Sequence, residues 1–257
     1  IIPAAPHLIP FYIKKTFLHK KVHYINGFID LNKLKFKTFT DDDLLSKFSN
    51  INLENCISLS STLIGHKGII EFLEIYLEYR NKFKNDYLSL VIIGNGPILK
   101  DCFKFCINKG LKYEFNSKFF NINSDIYFTG HLENPITLIK KCRFFVMPSF
   151  HEGLSNQLLE AIYSGIPIIA SNCNGNKFIY SEIAKENIEY INAQFLKLLP
   201  IIKNSRVKSL WAKELIFYTQ NFKGIKYKNS YKLIDNFSSK VNFPKWEIIV
   251  RNILDSK

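Results

Sequence analysis

The sequence predicts an α/β fold, a doubly wound parallel sheet followed by a helical C-terminal tail. Three observations carry this. Short apolar runs without polar alternation recur along the first three quarters of the chain, as in strands buried on both faces. Helical patterns separate them, which implies parallel strands joined by right-handed crossovers. Glycine and polar residues cluster just after the apolar runs, where open parallel sheets bind ligands.

The elements follow in order. "KVHYINGFIDLNKLKF" reads as a strand, an Asn26-Gly27 turn and a linker. The runs at 55–61 (NCISLSS), 88–94 (LSLVIIG), 125–130 (DIYFTG), 143–149 (RFFVMPS) and 166–171 (IPIIAS) read as strands, and "IEYI" at 188–191 as a sixth. Helical patterns cover 69–84, 98–109, 135–142, 156–164 and 177–185. From 195 onward, "FLKLLPIIKNSRVKSLWAKELIFYTQ" and "NFPKWEIIVRNILDSK" read as amphipathic helices without intervening strands. There is no internal repeat and no low-complexity segment.

At 257 residues, 47% hydrophobic and 22% charged, the chain is able to bury a full core. No apolar run approaches the roughly eighteen residues of a membrane span, and the best, 196–202, is broken by Pro200. The opening "IIPAAPHLIPFYI" lacks an initiator Met and a basic n-region, which reads as no signal peptide and as a start inside a longer protein. Five scattered cysteines point to a reducing compartment rather than a disulfide framework. Cys102 and Cys106 share a helix face, but no further ligand lies at metal spacing, so core packing is expected of them. A net charge of +13 suits a phosphorylated ligand, an anionic membrane surface or a nucleic acid. It also suits the Lys- and Asn-rich background of the whole chain.

The stretch "PSFHEGLSNQLLEAIYSGIPIIAS", 148–171, carries the chemistry. Ser155 is a suitable N-cap, and the helix start behind it offers amides and a dipole to a phosphate. Gly153 lets a ligand approach the backbone. Glu160 lies about 7 Å along the helix at about 1.5 Å per residue, a distance from which a carboxylate accepts hydrogen bonds from ribose hydroxyls. Glu152, ahead of the helix, faces a sugar beyond the phosphates. Each carboxylate alone would read as solvated. A hydrolytic acid and base pair needs carboxylates facing across a cleft, whereas these flank one helix start. Gly94-Asn95-Gly96 lacks the third glycine of a dinucleotide fingerprint and does not follow the first strand.

The same stretch resembles the E-x7-E segment of the retaining glycosyltransferases of family 4: Pro148-Ser149, Glu152-Gly153, Leu159-Glu160-Ala161 and Gly165-Ile166-Pro167. "INGFID", "HKGI", "LVIIGNGP" and "IYFTGHL" resemble further landmarks in the family's order, with one extra residue before Asp30. The resemblance covers about 22–178. It implies the C-terminal, donor-binding half of a GT-B fold: 1–30 as the end of a missing acceptor domain and its linker, 31–190 as a Rossmann-like nucleotide-sugar domain, and 191–257 as the helical tail. It further implies that Glu152 contacts the donor sugar, Glu160 the ribose and Lys67 the diphosphate. The backbone of Gly153, Leu154 and Ser155 completes the phosphate cradle, Thr62 and Gly94 line the nucleotide site, and His131 and Leu132 border the base.

One departure is electrostatic, because Ser61-Thr62 stands where the family usually has Gly-Arg, and one cation is lost. The implied reaction is retaining transfer of a hexosyl group from a nucleotide-diphosphate sugar to a glycan, lipid-linked glycan or polysaccharide hydroxyl. No metal or other cofactor and no nucleic acid is expected, and the isolated chain is expected to be incomplete. Localisation would be cytoplasmic, with peripheral contact at the inner membrane face. The alternatives are another GT-B enzyme such as a nucleotide-sugar epimerase, and a non-catalytic basic module binding nucleotides or nucleic acid.

Overall fold

The computed structural model describes residues 8–10, 29–30, 42–83 and 86–255. The strand and turn expected at 22–27 and most of the linker lie outside them.

Seven parallel strands form one sheet in the order β3-β4-β2-β1-β5-β6-β7. They are β1 (Cys56–Ser60), β2 (Ser89–Ile93), β3 (Tyr113–Phe115), β4 (Ile126–Gly130), β5 (Phe144–Met147), β6 (Ile168–Ser171) and β7 (Leu196–Leu199). After Asp42–Ser46 (α1), the sheet is wrapped by Ile69–Phe83 (α2), Leu99–Lys109 (α3), Pro135–Ile139 (α4), Asn156–Tyr163 (α5), Asn174–Glu186 (α6) and Ile188–Asn192 (α7). The tail holds Ser205–Asn221 (α8), a 3-10 segment Ser230–Phe237, and Ser239–Asp255 (α9). The doubly wound Rossmann-like sheet is therefore present.

The apolar runs are continuous because both sheet faces are covered. Val91, Ile93, Phe145 and Met147 enter one core, while Leu90, Ile92, Phe144 and Val146 enter the other. At about 25 cal/mol per Å² of apolar surface buried, such residues supply the main driving force.

Two expectations are corrected, and one strand is added. "IEYI" is helical (α7), because the Asn187 side chain caps it by accepting the Tyr190 amide at 3.0 Å. The segment "LKLL" is strand β7 inside what was expected to be an all-helical tail. Gln194, at φ +58, interrupts helix before it, and Pro200 follows directly. The short edge strand β3 was not foreseen. Its residues are half-buried or exposed, so it carries no continuous apolar run.

The tail supports the sheet at its far end and from the side. Arg143, only 7% exposed, donates to the carbonyls of Glu54 and Thr219 at 2.9 Å and to the Asn55 amide oxygen at 2.8 Å. This ties α8 to the amino ends of the strands. Trp211 of α8 packs edge-on against Phe72 of α2 and donates to the Pro200 carbonyl at 2.9 Å. The 3-10 segment braces α5, with Ser230 donating to the Tyr163 carbonyl at 2.8 Å. All five cysteines are buried and unpaired, and Cys102 and Cys106 pack in the core.

Candidate functional site

The carboxyl ends of the central strands open into two cavities. The first, about 430 Å³, is lined by Ser60 at the end of β1, Ile93 at the end of β2, and the turns behind them. Thr62, Gly94, His131, Leu132 and Glu160 meet there although they are up to 98 residues apart in sequence (160 − 62). Gly94 is required by geometry, since its φ is +140 and a Cβ would lie 1.8 Å from the Ser61 carbonyl oxygen. That contact lets β2 turn away beneath the Thr62 loop.

The second cavity, about 640 Å³, is lined by His66, Phe150, His151, Glu152, Gly153 and Lys177, among others. Lys67 is joined to it through Glu152. Its Nζ donates to Glu152 Oε1 at 2.7 Å and Oε2 at 2.9 Å, with the side chains 12% and 6% exposed. The two loops are joined through the backbone as well, because the Phe150 amide donates to the His66 carbonyl at 2.8 Å. Gly175, in the first turn of α6, sits so close that a Cβ would meet the Gly153 oxygen at 2.3 Å and the Glu152 oxygen at 2.6 Å. Helix α6 thus buttresses the loop that carries Glu152.

Helix α5 begins close to both cavities: Gly153, just ahead of it, lines one, while Gln157 and Glu160 on it line the other. Ser155 is its N-cap, as expected, accepting the Leu158 amide at 3.3 Å, and is 1% exposed. Leu154 packs against the core, so its contribution to a ligand is its backbone. The amides of the first turn and the helix dipole give this end partial positive charge.

Several lining residues were missed. Gln157 lies one turn before Glu160 on α5 and was legible from helical spacing. Glu133 lies two residues after His131. Asn172 and Asn174 follow β6 at its carboxyl end. Asn176, two residues beyond Asn174, is fully buried and donates to the Ser171 carbonyl at 2.9 Å. Burial raises the Cys173 thiol above its usual range, so it is not poised as a nucleophile. Among the described residues no group of three or more His, Cys, Asp or Glu is placed to hold a metal ion, and no helix is long and apolar enough to cross a membrane.

Residues 55–196 match the family described as "Glycosyl transferases group 1". The chain is 28% identical over 185 residues to the capsular polysaccharide biosynthesis glycosyltransferase CapH of Staphylococcus aureus, covering 63% of this chain and 50% of that protein. It is 25% identical over 133 residues to the N,N'-diacetylbacillosaminyl-diphospho-undecaprenol alpha-1,3-N-acetylgalactosaminyltransferase of Campylobacter jejuni, covering 52% of this chain and 31% of that one. The chain spans about half, or less, of the length of the curated relatives it matches. Among solved structures, Anabaena HepE in complex with UDP and glucose superimposes with a TM-score of 0.67 at 12% identity, over 97% of this chain and 62% of that one. That likeness is one of fold.

Proposed function

Because this chain belongs to the glycosyl transferases group 1 family, we propose that it forms the donor-binding half of a glycosyltransferase. The reaction moves a hexosyl group from a nucleotide-diphosphate sugar to a hydroxyl of a glycan, lipid-linked glycan or polysaccharide, with retention. The observation that carries this reading is the pair of cavities at the start of α5, one lined by Glu160 and the other by Glu152. Both fall within the range of small-molecule sites.

In this reading the nucleoside occupies the first cavity. Glu160 accepts hydrogen bonds from the ribose hydroxyls, Thr62 and Gly94 border them, and His131 and Leu132 flank the base. The diphosphate crosses the start of α5 against the backbone of Gly153, Leu154 and Ser155, and the sugar enters the second cavity beside Glu152. Lys67 then faces the negative charge that grows on the leaving diphosphate. A preorganised cation and helix dipole stabilise that charge more in the transition state than in the ground state. None of these roles requires a metal or other cofactor from this half. The +13 charge fits work at the inner membrane face, where lipid-linked acceptors are held.

Isothermal titration with UDP, GDP and a short oligonucleotide tests the reading. Saturable binding of a nucleoside diphosphate and none of the oligonucleotide supports it. The reverse pattern would assign the chain to the nucleic-acid-binding alternative.

A further inference from the structure

The two cavities follow one another along the sheet. The first lies at the ends of β2 and β1, with Gly94 and Ser60, and takes in His131 just after β4. The second lies beyond β5 and β6, lined by Phe150 and Glu152 after one strand and by Asn172 and Asn174 after the other. The strand order β4-β2-β1-β5-β6-β7 therefore runs from the first cavity to the second. A nucleotide sugar laid across both has its base by β4 and β2, its diphosphate at the start of α5, and its sugar by β5 and β6. Lys177 comes last in this series. It lines the second cavity and also an adjoining one of about 520 Å³ along β7, so it stands at the wall furthest from the nucleoside.

The backbone that carries Lys177 is fixed. Its amide donates to the Cys173 carbonyl at 2.9 Å in the first turn of α6. Gly175 of the same turn abuts the Gly153 and Glu152 oxygens, and the buried Asn176 ties the turn to β6 through the Ser171 carbonyl.

The charges of the second cavity are unequal. Its lining holds one carboxylate, Glu152, and one lysine, Lys177, besides His66 and His151. Glu152 is neutralised by Lys67, which reaches both of its oxygens. Lys177 is exposed and, among the described residues, forms no ion pair. A cation left over on the wall of a polar cavity favours an anionic group on the ligand. In the proposed donor pose the diphosphate meets Lys67 and the start of α5, so the anion facing Lys177 belongs to the sugar.

We propose that Lys177 is a specificity-determining residue that selects a donor whose sugar bears a carboxylate, a hexuronate. This rests on the nucleotide-sugar reading of the site. One ammonium matches one carboxylate charge. A hexuronate differs from its neutral hexose only at C6, where a carboxylate replaces a hydroxymethyl group. Lys177 Nζ donates to that carboxylate, whereas the hydroxymethyl group offers the ammonium an uncharged and weaker acceptor.

The test is calorimetry on the 257-residue chain with UDP and GDP, followed by paired donors: UDP-glucose and UDP-glucuronate, UDP-galactose and UDP-galacturonate, GDP-mannose and GDP-mannuronate. At least one acidic donor should bind about tenfold more tightly than its neutral partner, the scale of one charge-assisted hydrogen bond. Lys177→Ala and Lys177→Gln should abolish that preference and leave the affinity for the nucleoside diphosphate unchanged, while Lys177→Arg keeps it. The proposal is overturned if no acidic donor binds more tightly than its neutral partner, or if the preference survives in both the Ala and Gln variants. It is also overturned if those variants lose nucleoside diphosphate and acidic donor affinity equally, which would place Lys177 on the diphosphate. Failure of both UDP and GDP to bind would overturn the donor-site reading, and this specificity with it.

Discussion

Lys67 and Glu152 form a two-pronged ion pair, Nζ to Oε1 at 2.7 Å and to Oε2 at 2.9 Å, across 85 residues of sequence. The side chains are 12% and 6% exposed, so little solvent screens the pair. The two residues proposed to hold the diphosphate and the sugar therefore act as a unit. Lys67→Ala leaves Glu152 in a site with little water, and breaking a buried pair costs about 3–5 kcal/mol. We expect a lower unfolding midpoint together with a large loss of UDP affinity and an unchanged affinity for uridine. The double variant Lys67→Ala/Glu152→Gln should recover much of the stability but none of the UDP affinity. Equal losses for uridine and UDP would make the lysine a structural residue.

Glu160→Gln should weaken UDP binding by about 1.5–3 kcal/mol, the range for hydrogen bonds to a charged group. Calorimetry against UDP and against the 2′,3′-dideoxy analogue measures this. The analogue, which lacks both hydroxyls, should bind parent and variant alike.

Thr62 lines the nucleotide cavity where the resemblance leads one to expect an arginine. An arginine there adds a planar cation able to grip phosphate oxygens in two places. Thr62→Arg is expected to tighten UDP severalfold while leaving uridine unchanged. A variant that binds UDP no better than the parent would place the diphosphate away from this loop.

Gly175→Ala should separate packing from chemistry. Its methyl would meet the oxygens of Gly153 and Glu152, and backbone cannot yield as a flexible side chain does. Overpacking of this kind costs typically about 1–3 kcal/mol. We expect lower stability and weaker binding of a UDP-sugar, with UDP less affected because Glu160 lies in the other cavity.

The buried thiols predict alkaline sensitivity. Burial pushes Cys102, Cys106 and Cys142 up to about 12 from the ordinary 9.0. Between those values the unfolded chain has lost protons that the folded chain keeps, so stability is intact below about pH 9 and falls as pH rises toward 12. Unfolding free energies from urea titrations at pH 8 and pH 10 should differ by roughly 1 kcal/mol per thiol. Cys142→Ala should flatten the dependence. A midpoint independent of pH over this range would contradict the burial of these thiols.

Much of this protein was legible from the chain alone. Strands buried on both faces write themselves as apolar runs such as "LSLVIIG", and the E-x7-E spacing put Glu152 and Glu160 on either side of a helix start capped by Ser155, because residues close in sequence are constrained by local geometry. The tertiary structure decided what local geometry cannot. It made "LKLL" a strand, since pairing with β6 outweighed a helical pattern already interrupted at Gln194 and Pro200. It joined Lys67 to Glu152 and brought Thr62, Gly94, His131 and Glu160 around one cavity. Those encounters depend on strand order, and the order β2-β1-β5-β6 is set by how helices cover both faces of the sheet, a cooperative outcome of the whole core that no single stretch of sequence carries.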